Sequence, residues 1–203
     1  MKEQPLPSLF HGALRGAAGG LAGAALGHVL VTLCLRGGGE RWLKGPYGPD
    51  DPGFHFFDIA LFLSATFGCI AFSLSRRAVP TLAGLGCAFL ALALPLTVLT
   101  HAARAFPWWY WAVLGADILA VWGTTLALGA LLCPARRMRG ALFAALGSWA
   151  GYLVLELILH IVPSYAQGRW VPTSFIPSPV DLLTWLLAGA GMGAGIYLAG
   201  RNL

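Results

Sequence analysis

Histidines and carboxylates are scarce in this chain, five and eight of them, and two pairs have helical spacing. His55 and Asp58 stand three residues apart, and Glu156 and His160 stand four apart, so each pair shares one face of a helix. A carboxylate beside an imidazole can orient it as a general base, and Glu156 with His160 is the candidate catalytic pair. Imidazole and carboxylate together also make a donor set for zinc or another divalent metal, for which His55, Asp58, His101 and His160 are the candidates. Asp181 adds a further carboxylate, placed to act as an N-cap after Pro179. His55, His101 and Asp181 also suit plain helix-end roles. Asp117 calls for a structural partner such as Arg15, His28 or Thr124. His28, facing a second imidazole at its own depth, would satisfy a bis-histidine haem b.

The elements that must position these groups are almost wholly apolar. Hydrophobic residues make up 58% of the 203, charged ones 10%, and the mean hydropathy is +0.73. A soluble domain does not have this composition; an all-α integral membrane bundle does. A helix rises about 1.5 Å per residue and needs roughly 20 apolar residues to cross a bilayer. Six segments meet that length, approximately 12–35, 54–75, 79–100, 108–133, 140–162 and 181–200, forming a single polytopic domain. The first is long and lacks a convincing cleavage site, so it reads as a retained span rather than a signal peptide.

Basic residues in the short connections set the orientation. Lys2, Arg76, Arg77, Arg136, Arg137, Arg139 and Arg201 collect on one face. Arg36, Arg41, Lys44, Arg104 and Arg169 collect on the other, diluted by Glu40, Asp50 and Asp51. Both termini are therefore expected on the cytoplasmic side. The net charge of +5 needs no nucleic-acid partner, because arginines beside anionic lipid account for it. With this threading, His55, Asp58, His101, Glu156, His160 and Asp181 all fall toward the outer face. Glu156 lies roughly 9 Å down and Asp117 roughly 15 Å, near the midplane. An ionised group at the middle of a span costs about 2.5–3.5 kcal/mol, so such residues require a reason.

Glycines supply the packing pattern. Gly12, Gly16 and Gly20 repeat every four residues on the first span, with Gly19, Gly23 and Gly27 one position round. Gly189 with Gly193, Gly191 with Gly195, and Gly147 with Gly151 repeat the spacing later. Small residues let helix backbones approach where lipid removes the hydrophobic drive between helices. Two such rows on one helix imply two close neighbours, within the chain or in a partner. The 37–53 and 163–179 loops are rich in proline and glycine and should be irregular. Phe106 to Trp111 suits an interfacial aromatic belt. Cys34, Cys69, Cys87 and Cys133 sit on four different spans and read as small apolar residues.

There is no G-x-S-x-G elbow, no H-E-x-x-H, no phosphate-binding loop and no dinucleotide fingerprint. The tail from Glu156 through His160 and Pro163 to Arg169, Asp181 and the glycines after it resembles the end of VanZ-like membrane proteins. In those a Glu on one span is followed by Arg and Asp in a loop, then by Asn and glycines on the last span. Here Leu159 stands in place of the family's Gln and Trp185 in place of its Asn, and the chain has one span more. About a quarter of the chain is covered, and the sequence is not assigned to that family.

These readings lead to an accessory or structural subunit of a multi-pass cell membrane, the bacterial inner membrane by preference. It would pack against other membrane-protein subunits and the lipid bilayer through Gly16, Gly20, Gly23, Gly27, Gly189 and Gly193. The alternative is a membrane-embedded metal-dependent or acid/base enzyme working at the outer leaflet. A small transporter is a third class, marked only by Asp117.

Overall fold

A computed structural model describes residues 9–34, 52–103, 109–161 and 179–200. Among them the secondary structure is helical, with no strand. The helices are α1 (Leu9–Cys34), α2 (Pro52–Ser75), α3 (Ala78–Ala103), α4 (Trp109–Leu132), α5 (Arg137–Ile161) and α6 (Pro179–Gly200). A single 3₁₀ turn, Pro134–Arg136, joins α4 to α5. Leu9–Cys34, Pro134–Leu155 and Pro179–Gly200 are each long and apolar enough to cross a membrane. The described parts of the other helices give shorter apolar stretches, Ala60–Ser75, Ala78–Leu90 and Ala120–Leu132.

Helix ends follow local chemistry more than hydropathy. Pro52 and Pro179 open α2 and α6, where a missing N–H is no loss because the first turn has no partner for it. This start corrects the expected role of Asp181. It lies inside the first turn of α6 rather than at its N-cap, where its charge still favours the positive end of the helix dipole. The α2–α3 connection is tighter still. Arg76 adopts φ of 52°, and its N–H reaches the Phe72 carbonyl at 2.7 Å, so the chain reverses at Arg76 and Arg77.

The six helices form a closed ring in chain order, with α6 returning against α1. Backbones meet where glycines face each other. A Cβ on Gly12 would meet the Gly193 carbonyl oxygen, one on Gly16 that of Gly189, and one on Gly20 that of Trp185. Residue numbers rise on α1 as they fall on α6, so the pair is antiparallel. On the neighbouring face of α1, Gly19 lies against Ile70, Gly23 against Thr66 and Gly27 against Phe62, which sets α2 antiparallel as well. Gly147 meets Gly191 between α5 and α6, and Gly129 meets Gly140 between α4 and α5. The start of α1, the α2–α3 and α4–α5 connections and the end of α6 therefore share one end of the bundle. Every described arginine lies in that half: Arg15, Arg76, Arg77, Arg136, Arg137 and Arg139.

Trp185 of α6 reaches across the ring to α2. Its ring lies 5.7 Å from Phe67, edge-on, and 6.0 Å from Phe62. Six serine and threonine hydroxyls, those of Thr32, Thr66, Ser75, Thr81, Thr125 and Thr184, donate to the carbonyl four residues earlier. A polar side chain is thereby satisfied without leaving an apolar helix. Ser73 instead donates across the α1–α2 contact to the Arg15 carbonyl at 2.7 Å. Ser73→Ala is expected to lower stability by about 0.6 kcal/mol, the usual scale for interhelical hydrogen bonds in lipid. A detergent unfolding titration in which the variant matches the parent would show that this bond contributes nothing.

Candidate functional site

The element order and antiparallel packing place the singled-out helix positions at the end away from the arginines. His55 and Asp58 are in the first turns of α2, His101 in the last turn of α3, Glu156 and His160 in the last turns of α5, and Asp181 in the first turn of α6. Asp181 is partly exposed. The side chains of His55, Asp58, His101, Asp117, Glu156 and His160 lie outside the described set, as do nearly all residues of the 37–53 and 163–179 loops. Among the described residues no group of three or more His, Cys, Asp and Glu is placed to hold a metal.

Beneath that end, a groove opens sideways between α4 and α5, with α6 as its floor. Its volume is about 440 Å³. Helices α4 and α5 touch at Gly129 and Gly140 near the arginine end, and the groove lies between them farther along. Trp122 and Thr125 of α4, Trp149 and Tyr152 of α5, and Thr184 and Trp185 of α6 line it. Both the Trp149 and Tyr152 side chains are close to half exposed, so the opening is apolar and aromatic with hydroxyls at intervals.

Helical register extends the groove. One turn beyond Val121 on α4 is Asp117; one turn beyond Tyr152 on α5 is Glu156; one turn before Trp185 on α6 is Asp181. Each of the three helices that form the groove carries a carboxylate position one turn nearer the end away from the arginines. His160 follows Glu156 by one further turn on α5.

The other candidate residues separate from this site. Arg15 lies beside Leu131 and Leu132, about 21 Å of helix rise along α4 from Asp117, so it is not that residue's partner. Thr124 shares a face of α4 with Asp117, two turns away, and its buried hydroxyl has no hydrogen-bond partner among the described residues. His28 is buried inside the α1 packing, and neither described cavity is lined by it. Gly16, Gly20, Gly189 and Gly193 lie in the α1–α6 contact, and Gly23 and Gly27 in the α1–α2 contact, so the chain itself occupies all six. The four cysteines are free and half-buried, and the Cys133 thiol reaches the Ile196 carbonyl at 3.6 Å.

Two features escape a reading of charged residues alone. The groove is signalled only by aromatic and hydroxyl residues at i, i+3 and i+4: Trp122 with Thr125, and Ser148 with Tyr152. A second cavity, at the arginine end, depends on residues from five helices and has no linear signature. The fold thus defines an all-helical bundle containing helices able to cross a membrane, with a lateral groove between three of them. The chain matches no protein-family model, and neither a curated protein nor a solved structure shows significant similarity to it.

Proposed function

We propose that this is a six-span protein of a cell membrane, with both termini cytoplasmic, that holds an amphiphile for acid/base chemistry at the outer leaflet. The apolar portion of the amphiphile lies in the α4–α5–α6 groove and its polar end faces Asp117, Glu156 and Asp181. The bacterial inner membrane is the setting that suits it. One observation carries the reading: a lateral, aromatic-lined groove runs toward carboxylate positions on all three of its helices. An apolar pocket with a few convergent polar groups is the usual form of a small-molecule site. Glu156 and His160, one turn apart, supply the proton donor and acceptor. His55, Asp58, His101 and His160 have the chemistry to hold a divalent ion such as zinc near the same end.

A second reading keeps the chain as an accessory subunit, the groove seating a helix of another membrane protein. The lateral opening, with Trp149 and Tyr152 exposed at its edge, is the observation that favours it. The two readings part under substitution. Native mass spectrometry of the purified chain is expected to show a co-purified amphiphile of discrete mass. Trp149→Ala should deplete that species at least tenfold, and Glu156→Gln should retain it unaltered. A stoichiometric membrane-protein partner instead of the amphiphile, lost with Trp149→Ala, would transfer the assignment to the accessory role.

A further inference from the structure

The arginine end contains a cavity of about 400 Å³ at the centre of the ring, far more than the roughly 10–15 Å³ one ordered water requires. Arg15 of α1, Arg77 at the start of α3 and Tyr197 of α6 lie on its wall, with Leu74, Leu131 and Ile196 between them. Arg15 is the informative member. It lies about six residues, or roughly 9 Å, into an apolar helix, is partly buried, and lines a cavity that opens toward the arginine end. Its guanidinium makes no hydrogen bond or ion pair with any described residue, and neither does that of Arg77. No carboxylate of the described residues lies in this half of the bundle; Asp181, Glu156, Asp117 and Asp58 are all toward the other end. Arg76, Arg136 and Arg137 flank the same end and raise its positive potential.

We infer that this cavity is a binding site for a phosphate-bearing anion, held by Arg15 and Arg77. A cation inside an apolar helix is costly unless an opposite charge meets it. The fork of N–H donors on arginine fits phosphate oxygens bidentately. Tyr197 and Ser75 place hydroxyl groups on the same wall, beside the apolar Leu74, Leu131 and Ile196. The groove at the far end takes no part in this, so the two sites stand or fall separately. The phosphate is carried either by the headgroup of an anionic phospholipid or by a free phosphate of the aqueous phase.

The test uses the full chain purified in neutral detergent. Thermal unfolding is followed on adding phosphatidylglycerol, phosphatidylcholine or inorganic phosphate, and lipid retention is read by native mass spectrometry. Stabilisation by phosphatidylglycerol but not by inorganic phosphate identifies the lipid headgroup; stabilisation by both identifies a site open to free phosphate. In either case Arg15→Gln or Arg77→Gln should weaken the effect about tenfold or more, the scale of one charge-assisted contact. Arg15→Lys, which retains the charge, should bind partially and controls for a folding defect. Arg137→Gln, at the same end but off the cavity wall, should bind as the parent does. Equal weakening by Arg137→Gln would mean diffuse surface charge and overturn the proposal, as would the absence of any arginine-dependent stabilisation.

Discussion

Gly16→Ala is expected to cost about 3 kcal/mol or more, and Gly16→Val to abolish the folded state. A methyl group built on Gly16 falls well inside van der Waals contact with the Gly189 carbonyl oxygen, and one on Gly189 meets the Gly16 carbonyl in return. The obstructing atoms are backbone, so no rotamer change can make room. Separating α1 from α6 would release the clash, but the contacts at Gly12–Gly193 and Gly20–Trp185 would open with it. Overpacking of a tight site costs about 1–3 kcal/mol, and here the strain falls on both helices of the seam that closes the ring. Gly147→Ala should behave likewise through Gly191. Gly86 and Gly123 provide the controls, since nothing lies within 4 Å of a Cβ at either. Their alanine variants should be neutral or more stable by up to about 1 kcal/mol, from helix propensity alone. Unfolding midpoints in a denaturing-detergent titration order these variants. A Gly16→Ala protein as stable as Gly123→Ala would mean that α1 and α6 do not meet there.

Phe67→Ala is the second large effect, at about 2–3 kcal/mol. Phe67 is 2% exposed and packs edge-on against Trp185, which also touches Phe62. Lipid is as apolar as the side chain, so the transfer term that dominates in a soluble core is reduced. What remains is the void, costed at about 24 cal/mol per Å³ over roughly 100 Å³ of ring, together with the lost aromatic contact. Phe67→Leu should lose less than half as much because it fills most of the space. A Phe67→Ala midpoint within experimental error of the parent would show that the centre of the ring collapses onto the gap. Because Trp185 also lines the groove, that collapse would alter amphiphile retention, linking packing to the proposed function.

Much of the helical architecture is legible in the residues, and the differences have local causes. Hydropathy places a helix in every segment, yet α1 begins at Leu9 rather than near residue 12, and α5 at Arg137 rather than near 140. Leu9 and Phe10 extend the apolar stretch of α1, whereas the basic first turn of α5 is helical because its backbone bonds do not depend on apolar side chains. Asp181 lies inside the first turn of α6 rather than at its cap because proline can itself open a helix. The candidate site was legible in part. His55 with Asp58 and Glu156 with His160 are visible as pairs from spacing alone. The relation of Glu156 to Asp117 and Asp181 emerges only when α4, α5 and α6 are seen to share a groove.

Alone, then, the sequence determined that the chain is apolar and helical, that α1 offers two glycine-lined faces, and that arginines and carboxylates segregate along it. Those properties depend on residue type and local period, which a linear chain states directly. Only the tertiary structure decided which helix meets each glycine face, that α6 closes the ring on α1, and where α4 and α5 part to leave a groove. It alone placed Arg15 on the wall of a cavity shared by five helices. Such pairings depend on shape complementarity between surfaces distant in sequence, and no period along the chain encodes a partner's identity.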